Sequence, residues 1–353
     1  KSFLDLPVGT VNSLLNWLVF VLLIIQTLSL LPSYTRREIF LIAGITVPVA
    51  LAAFLSGNRP LLSAWMFIVA AKNEDPDRII GIAYKILLIL VPAVIAMRFF
   101  GLLEDNTLFM RDIQRFSLGF AHPNTLGVRV LQLIICRFYL HRRQIRAWDY
   151  LFAVLAVVFV YKIPNSQTVC ICLLLFMALL LFYKCIGRLC PGRMVLYAKG
   201  MLAGAFAVNI FSIILSFMDV MANSVLAKID QWMTCRFSCG HRVLTMYGIS
   251  FLGRKIYVSD EERKLAGIAE KLWLDNAYMS ILLRQGVLVF LIFSVGYLWL
   301  MKYMAVQKRY VLLFILFLFS VYGIMEAGMY TLGQNVFLIF FADLLYRKRG
   351  NPE

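Results

Sequence analysis

Long apolar runs separated by short charged connections set the pattern of this chain from residue 11 to residue 345. The runs measure roughly 17 to 25 residues, the length at which a helix crosses about 30 Å of hydrocarbon, so they predict membrane spans rather than core helices. About eleven spans are expected, at residues 11–31, 39–55, 60–71, 79–97, 122–140, 148–162, 167–183, 194–217, 276–300, 310–325 and 329–345, the third of them short. The period-2 alternation of a membrane barrel is absent, and backbone amides in lipid must be satisfied within their own span. The expected fold is therefore an all-α, polytopic membrane bundle forming a single domain over residues 1–353. The chain opens into its first apolar run with no small-residue cleavage pattern, so no removable signal peptide is expected.

Basic residues fall in every second connection: Arg36 and Arg37, Lys72 and Arg78, Arg142, Arg143 and Arg146, Lys184, Arg188 and Arg193, Lys302, Lys308 and Arg309, and Arg347, Lys348 and Arg349. By the positive-inside rule these connections are cytoplasmic. The alternate connections are then external, and two are large: residues 98–121 and residues 218–275. The longer is an island of charge, with Arg236, Arg242, Arg254, Lys255, Arg263, Lys264 and Lys271 among its cations. Long loops translocate regardless of charge, so these cations do not disturb the topology. Within the island, Ser259 and Glu262 form a capping box ahead of Leu265, Ile268 and Leu272, which predicts a short amphipathic helix lying on lipid or over a site.

Composition agrees: of 353 residues 61% are hydrophobic and 15% charged, with a mean hydropathy of +0.81. A net charge of +16 would suggest nucleic acid in a soluble protein, but here it reads as topology, and no nucleic-acid partner is expected. The seven cysteines lie mostly in or beside spans, as packing surface rather than a disulfide framework. Cys235, Cys239 and His241 lack a fourth ligand for zinc, and no metal or other cofactor is expected. Asp75, Pro76 and Asp77 form a DxD in a short cytoplasmic connection, away from the external charge. There is no Walker A loop, GxSxG elbow or HExxH motif.

Three external stretches can carry chemistry. In SLGFAHPNTLG, residues 117–127, Pro123 keeps His122 out of a helix, so His122 and Asn124 form a turn at the mouth of a span, preceded by Arg115. Asn124 and Thr125 equally suit helix capping. Arg236 opens RFSCGHRVLTMYGISFLG, and Asp275, Asn276 and Tyr278 open the ninth span, where Asp275 or Asn276 is also placed to cap a helix. A guanidinium at a membrane surface suits phosphate oxygens, and Arg236 with Arg115 or Arg242 suits a diphosphate. Glu326, between the last two spans, is a carboxylate among apolar neighbours, either functional or paired with a cation such as Arg284.

These motifs, with LDNAYMSILLRQG over residues 274–286 and with Asn335, resemble the Wzy-type polysaccharide polymerases of capsule, exopolysaccharide and O-antigen assembly, in order and placement over most of the chain. The resemblance implies a metal-independent glycosyltransferase of the GT-C class in the bacterial cell membrane. Its donor and acceptor are oligosaccharides on undecaprenyl diphosphate, and a flippase and a chain-length regulator are implied partners. On this reading Arg115, Arg236 and Arg242 hold the diphosphate, and Asn124, Asn276 and Tyr278 contact sugar. The general base is His122, whose unperturbed pKa lies near neutrality, or else Asp275 or Glu326. Gln167 stands where the related segment often has an arginine, which removes one phosphate contact beside Ser166. A ligase of similar architecture and a lipid-linked oligosaccharide flippase are the alternatives.

Overall fold

A computed structural model describes residues 8–110, 113–189, 191–258 and 273–346. The expected amphipathic helix at 259–272 lies outside the described residues.

Helices α1 (Val8–Ser29), α2 (Arg36–Ser56), α3 (Pro60–Ala70) and α4 (Pro76–Phe99) lead to a short antiparallel hairpin, β1 (Leu108–Met110) and β2 (Ile113–Arg115). Then follow α5 (Pro123–Leu140), α6 (Ala147–Lys162), α7 (Gln167–Leu189) and α8 (Met194–Phe217). Among the described residues, six helices are long and apolar enough to cross a membrane: α1, α2, α4, α7, α8 and the later α12 (Val287–Val306). Large apolar side chains such as Phe40, Phe54 and Ile89 face outward from these helices. An outward face of this kind suits lipid and not water.

The centre of the bundle is α13 (Tyr310–Met325), in which nearly every residue is buried against α5, α7, α8 and α12. A helix that is hydrophobic all round requires such an enclosed position. Its C-terminal cap is Glu326, so the most enclosed helix delivers the carboxylate to the end of the bundle.

Two of the expected spans are not continuous helices. Residues 276–300 divide into α11 (Ala277–Ser280), a π-turn over Ile281–Gln285, a break at Gly286, and α12. Gly286 has φ of 88°, and a Cβ there would lie 2.6 Å from the Phe251 carbonyl oxygen. The segment 250–254 threads into this break. The Gly253 amide donates to the Gln285 carbonyl at 3.0 Å and Arg254 to the Arg284 carbonyl at 2.9 Å, while Val287 donates to the Ser250 carbonyl at 3.0 Å. Gly253 in turn sits against Ala52, whose oxygen a Cβ would meet at 2.4 Å. Residues 329–345 are likewise broken: 3-10 turns over Ala327–Tyr330 and Val336–Phe340 precede a one-turn α14 (Phe341–Leu345). Irregular backbone within a membrane bundle must find polar partners inside the protein. Arg129 and Gln132 of α5 both donate to the Gly333 carbonyl, and Asn335 donates to that of Met329 at 2.9 Å.

Within the charged island, α9 (Ser224–Trp232) and α10 (Arg236–Tyr247) are regular helices. Asn223 caps α9, and Val225, Ile229 and Trp232 leave an exposed apolar stripe along it. That stripe gives the loop a surface-seeking helix earlier than the sequence reading placed one.

Candidate functional site

The site is built from the capped ends of helices. His122 is the N-cap of α5: its Nδ1 accepts from the Asn124 amide at 3.0 Å. That turn leaves the Asn124 side chain free to reach across the bundle, where Nδ2 donates to Glu326 Oε1 at 3.0 Å. Arg115, at the end of the hairpin, donates from Nε to the Pro164 carbonyl at 2.9 Å and from Nη2 to Asn124 Oδ1 at 2.5 Å. The asparagine amide is thereby oriented by an arginine and presents its donor side to the acid.

Arg236 approaches the same acid from the opposite side. It is the first residue of α10, launched by two successive left-handed residues, Thr234 with φ of 60° and Cys235 with φ of 57°. Asp230 of α9, fully buried, secures this turn: its Oδ1 accepts from the Phe237 amide at 2.8 Å, and its backbone carbonyl accepts from the Cys235 amide at 2.7 Å. A carboxylate at a helix N-terminus satisfies otherwise orphaned amides and complements the helix dipole. Held this way, Arg236 uses all its guanidinium nitrogens. Nε donates to the Met325 carbonyl at 2.9 Å, Nη1 pairs with Asp275 Oδ2 at 2.9 Å, and Nη2 donates to Glu326 Oε1 at 3.3 Å.

Glu326 is thus the junction of a chain running Arg115, Asn124, Glu326, Arg236, Asp275. Burial pushes its carboxyl up to about 7, and the nearby Asp275 adds to this, while Arg236 and Arg115 oppose it. His122 moves the other way: burial first, then the charges of Arg115 and Arg236, lower its pKa, with Asp275 opposing. Asp275 is the exposed member, 43% accessible at its side chain against 10% for Arg236.

Other expected site residues lie apart from this chain or are occupied. Arg242 donates to Cys239 Sγ at 3.5 Å on its own helix and makes no described contact with the cluster. Asn276 and Tyr278, expected to contact sugar, have buried side chains whose polar groups bond within the protein. Asn276 Oδ1 caps α11 by accepting from the amides of Tyr278 and Met279, and its Nδ2 donates to Ser212 Oγ at 2.7 Å. The Tyr278 hydroxyl donates to the Ser320 carbonyl at 2.8 Å. The alternatives for helix capping thereby separate, with Asn276 as the cap and Asp275 in the ion pair. Arg284 is not the partner of Glu326; its buried Nε finds no hydrogen-bond partner among the described residues. The DxD is structural at the opposite end of the bundle. There Asp75 caps α4, and Asp77 pairs with Arg142 and Tyr139. No group of side chains suited to a metal ion occurs among the described residues.

Sequence reasoning missed Asp230, Pro164 and Met325 as groups that aim the two arginines. Asp230 carried a faint signal, as an acid six residues before an arginine at a helix start.

Two cavities with mainly apolar walls lie away from the cluster. One of about 770 Å³ lies between α1, α2 and α3, with Arg59, Asn16 and Ser13 on its wall. Arg59 follows Asn58, whose carbonyl accepts from Gln285, so this groove reaches the same end of the bundle as the cluster. Another, of about 480 Å³, is an apolar groove between α2, α3 and α12. Both have mainly apolar linings of the kind that accept hydrocarbon.

The chain matches no family model, no curated protein and no solved structure. The comparisons therefore add nothing to the polymerase resemblance, and a functional reading rests on the site itself.

Proposed function

We propose that this chain is a membrane glycosyltransferase that joins oligosaccharide repeat units carried on undecaprenyl diphosphate into a polysaccharide of capsular or exopolysaccharide type. It works as an eleven-span protein of the bacterial cell membrane, with the cluster on the extracytoplasmic side. The observation that carries the reading is the convergence of Arg236, directly, and of Arg115, through Asn124, on one partly buried acid at the mouth of an apolar bundle.

In the proposed reaction an acceptor sugar hydroxyl attacks the anomeric carbon of the lipid-linked chain. The new glycosidic bond forms as the bond to diphosphate breaks, and undecaprenyl diphosphate leaves with the electron pair. Arg236 and Arg115 face the growing negative charge, the kind of stabilisation that lowers such barriers most. Asp275 is the exposed partner of Arg236, and a diphosphate oxygen that takes its place frees a guanidinium edge for the substrate. Glu326 is the preferred base. Its Oε1 takes both donors, its Oε2 has no described partner, and its pKa near 7 suits proton transfer at neutral pH. His122 falls behind it, because its Nδ1 lone pair is committed to the Asn124 amide. The 770 Å³ groove supplies an apolar seat for part of a polyprenyl chain. A flippase that delivers the units and a chain-length regulator are the partners this activity requires.

The test is purified protein with a lipid-linked repeat unit and no nucleotide sugar, read on a gel. A ladder of products supports polymerisation. A single transferred block indicates a ligase, and substrate that crosses vesicles unchanged indicates a flippase; either outcome rejects the proposal.

A further inference from the structure

We infer that the end of the bundle remote from Arg236 carries a second anion site, shaped to hold the phosphodiester headgroup of an anionic phospholipid. Helix α5 separates the two ends: His122 caps its start, and Arg137 and His141 stand at its finish, roughly 27 Å away for its 18 residues. At that finish lies a cavity of about 550 Å³ lined by Arg137, His141, Arg143, Arg146, Trp148 and Phe152, among others.

Charge in this cavity is unbalanced. The one acid on its wall, Asp149, is buried and fully engaged: Oδ1 accepts from Arg137 Nε at 2.8 Å and lies 2.9 Å from His141 Nδ1, and Oδ2 accepts from the Arg146 amide at 2.8 Å. The neighbouring Arg142 is paired with Asp77. The guanidinium groups of Arg143 and Arg146 are exposed and have no described partner. Two cations that share a cavity with a neutralised acid leave a net positive pocket, and a planar guanidinium pair matches phosphate oxygens.

The cavity wall names the source of the phosphate. Trp148 is 65% exposed and Phe152 47% exposed on α6, in line with the exposed Leu151 and Leu155 on the same helix. This outward apolar face continues directly from the basic pocket, the arrangement in which an acyl chain lies along a helix while its headgroup meets arginines. Cations that marked only topology would need neither a cavity nor an apolar wall beside it. Phe152 also stacks under Arg137, 4.6 Å from the guanidinium carbon to the ring centre, so the tryptophan and not the phenylalanine is free at the rim.

The experiment is lipid retention by the whole purified protein, counted by native mass spectrometry in detergent with phosphatidylglycerol or phosphatidylcholine. Wild type retains phosphatidylglycerol selectively. The R143Q/R146Q variant loses it by roughly thirty-fold at two basic contacts, while R193Q/K302Q, with the same change of charge at other exposed positions, behaves as wild type. Thermal unfolding of each variant in phosphatidylcholine alone checks that all remain folded. Equal retention of the two lipids, undiminished phosphatidylglycerol in R143Q/R146Q, or the same loss in R193Q/K302Q overturns the proposal. So does displacement of the lipid by inorganic phosphate at matching concentration, since the site would then be one for a soluble anion.

Discussion

Asn124 and Glu326 stand 202 residues apart in the chain and meet at 3.0 Å, amide nitrogen to carboxylate oxygen. The contact joins the hairpin side of the bundle to the helix at its centre, and it exists because Arg115 fixes which way the amide faces. Replacing Asn124 with Ala removes a neutral donor and lets Arg115 drift from the acid. Under the proposed function, turnover falls roughly tenfold, as expected for one hydrogen bond of about 1 to 1.5 kcal/mol. Asn124→Asp is worse than Ala, because it sets a second carboxylate against Glu326. Initial rates of chain extension rank the two.

Arg236 has three described partners, and a lysine can replace only one of them. Arg236→Ala abolishes long product, at about 2 to 4 kcal/mol in the barrier, and Arg236→Lys recovers little of it. Product length on a gel, normalised to membrane protein level, decides this. Normal chains from Arg236→Ala would sink its assigned role.

The acidity of Glu326 makes two pH predictions of opposite sign. Its folded pKa of about 7 lies above the 4.5 of an unperturbed carboxyl, so the folded state holds its proton longer than the unfolded chain does. This group's contribution to stability is complete below about 4.5 and is lost as pH rises towards about 7. A base, by contrast, needs the ionised form, so turnover rises through the same value. In Glu326→Gln both dependences disappear and the rate is low throughout. Thermal unfolding and initial rates, each across pH 4 to 8, measure them separately.

At the opposite end, Arg309 and Asp343 form a buried ion pair at 2.8 Å, with Arg309 also donating to the Tyr139 hydroxyl at 2.7 Å. Arg309→Met takes the guanidinium away from a buried carboxylate and destabilises the protein by about 3 to 5 kcal/mol. Restoring neutrality with Asp343→Leu in the same chain regains most of that loss. Detergent unfolding curves of the single and double variants give the comparison.

Gly286→Ala meets the Phe251 carbonyl in a left-handed conformation that alanine adopts poorly. The expected cost is about 1 to 3 kcal/mol. The change also loosens the threaded segment, so protease cuts near residue 250 appear earlier than in wild type.

The membrane character was legible because lipid imposes a length and an apolarity on every crossing, and six described helices meet both. The breaks at 286 and 326–335 were not, since hydropathy is blind to whether an apolar run stays helical. Gly286 gave a hint, but its meaning depends on Phe251, which arrives from another part of the chain. Arg115, His122, Asn124, Arg236, Asp275 and Glu326 could be named from residue type and position alone. What sequence could not supply was the order of their contacts. The partners that aim the arginines include the main-chain carbonyls of Pro164 and Met325, which no residue type announces. Asn276 and Tyr278 show the converse case, in which polar groups near a mouth form their hydrogen bonds within the architecture.

The backbone bonds between 250–254 and 284–288 bring together two points about 35 residues apart by sequence and anchor both beside α2. Ring closure in a chain depends only weakly on contour length. Asn276 to Leu283 within that interval are buried, so it is a change of chain length ahead of Leu274 that adds little closure cost and leaves Gly253, Gln285 and the helix that follows in place. Arg236 precedes the first anchor and Asp275 lies inside the interval, so the arginine keeps its aim while its acidic partner is the part exposed to change. Natural variants of this chain that differ in the length of that interval should conserve the geometry around Glu326 and diverge in what they admit to it.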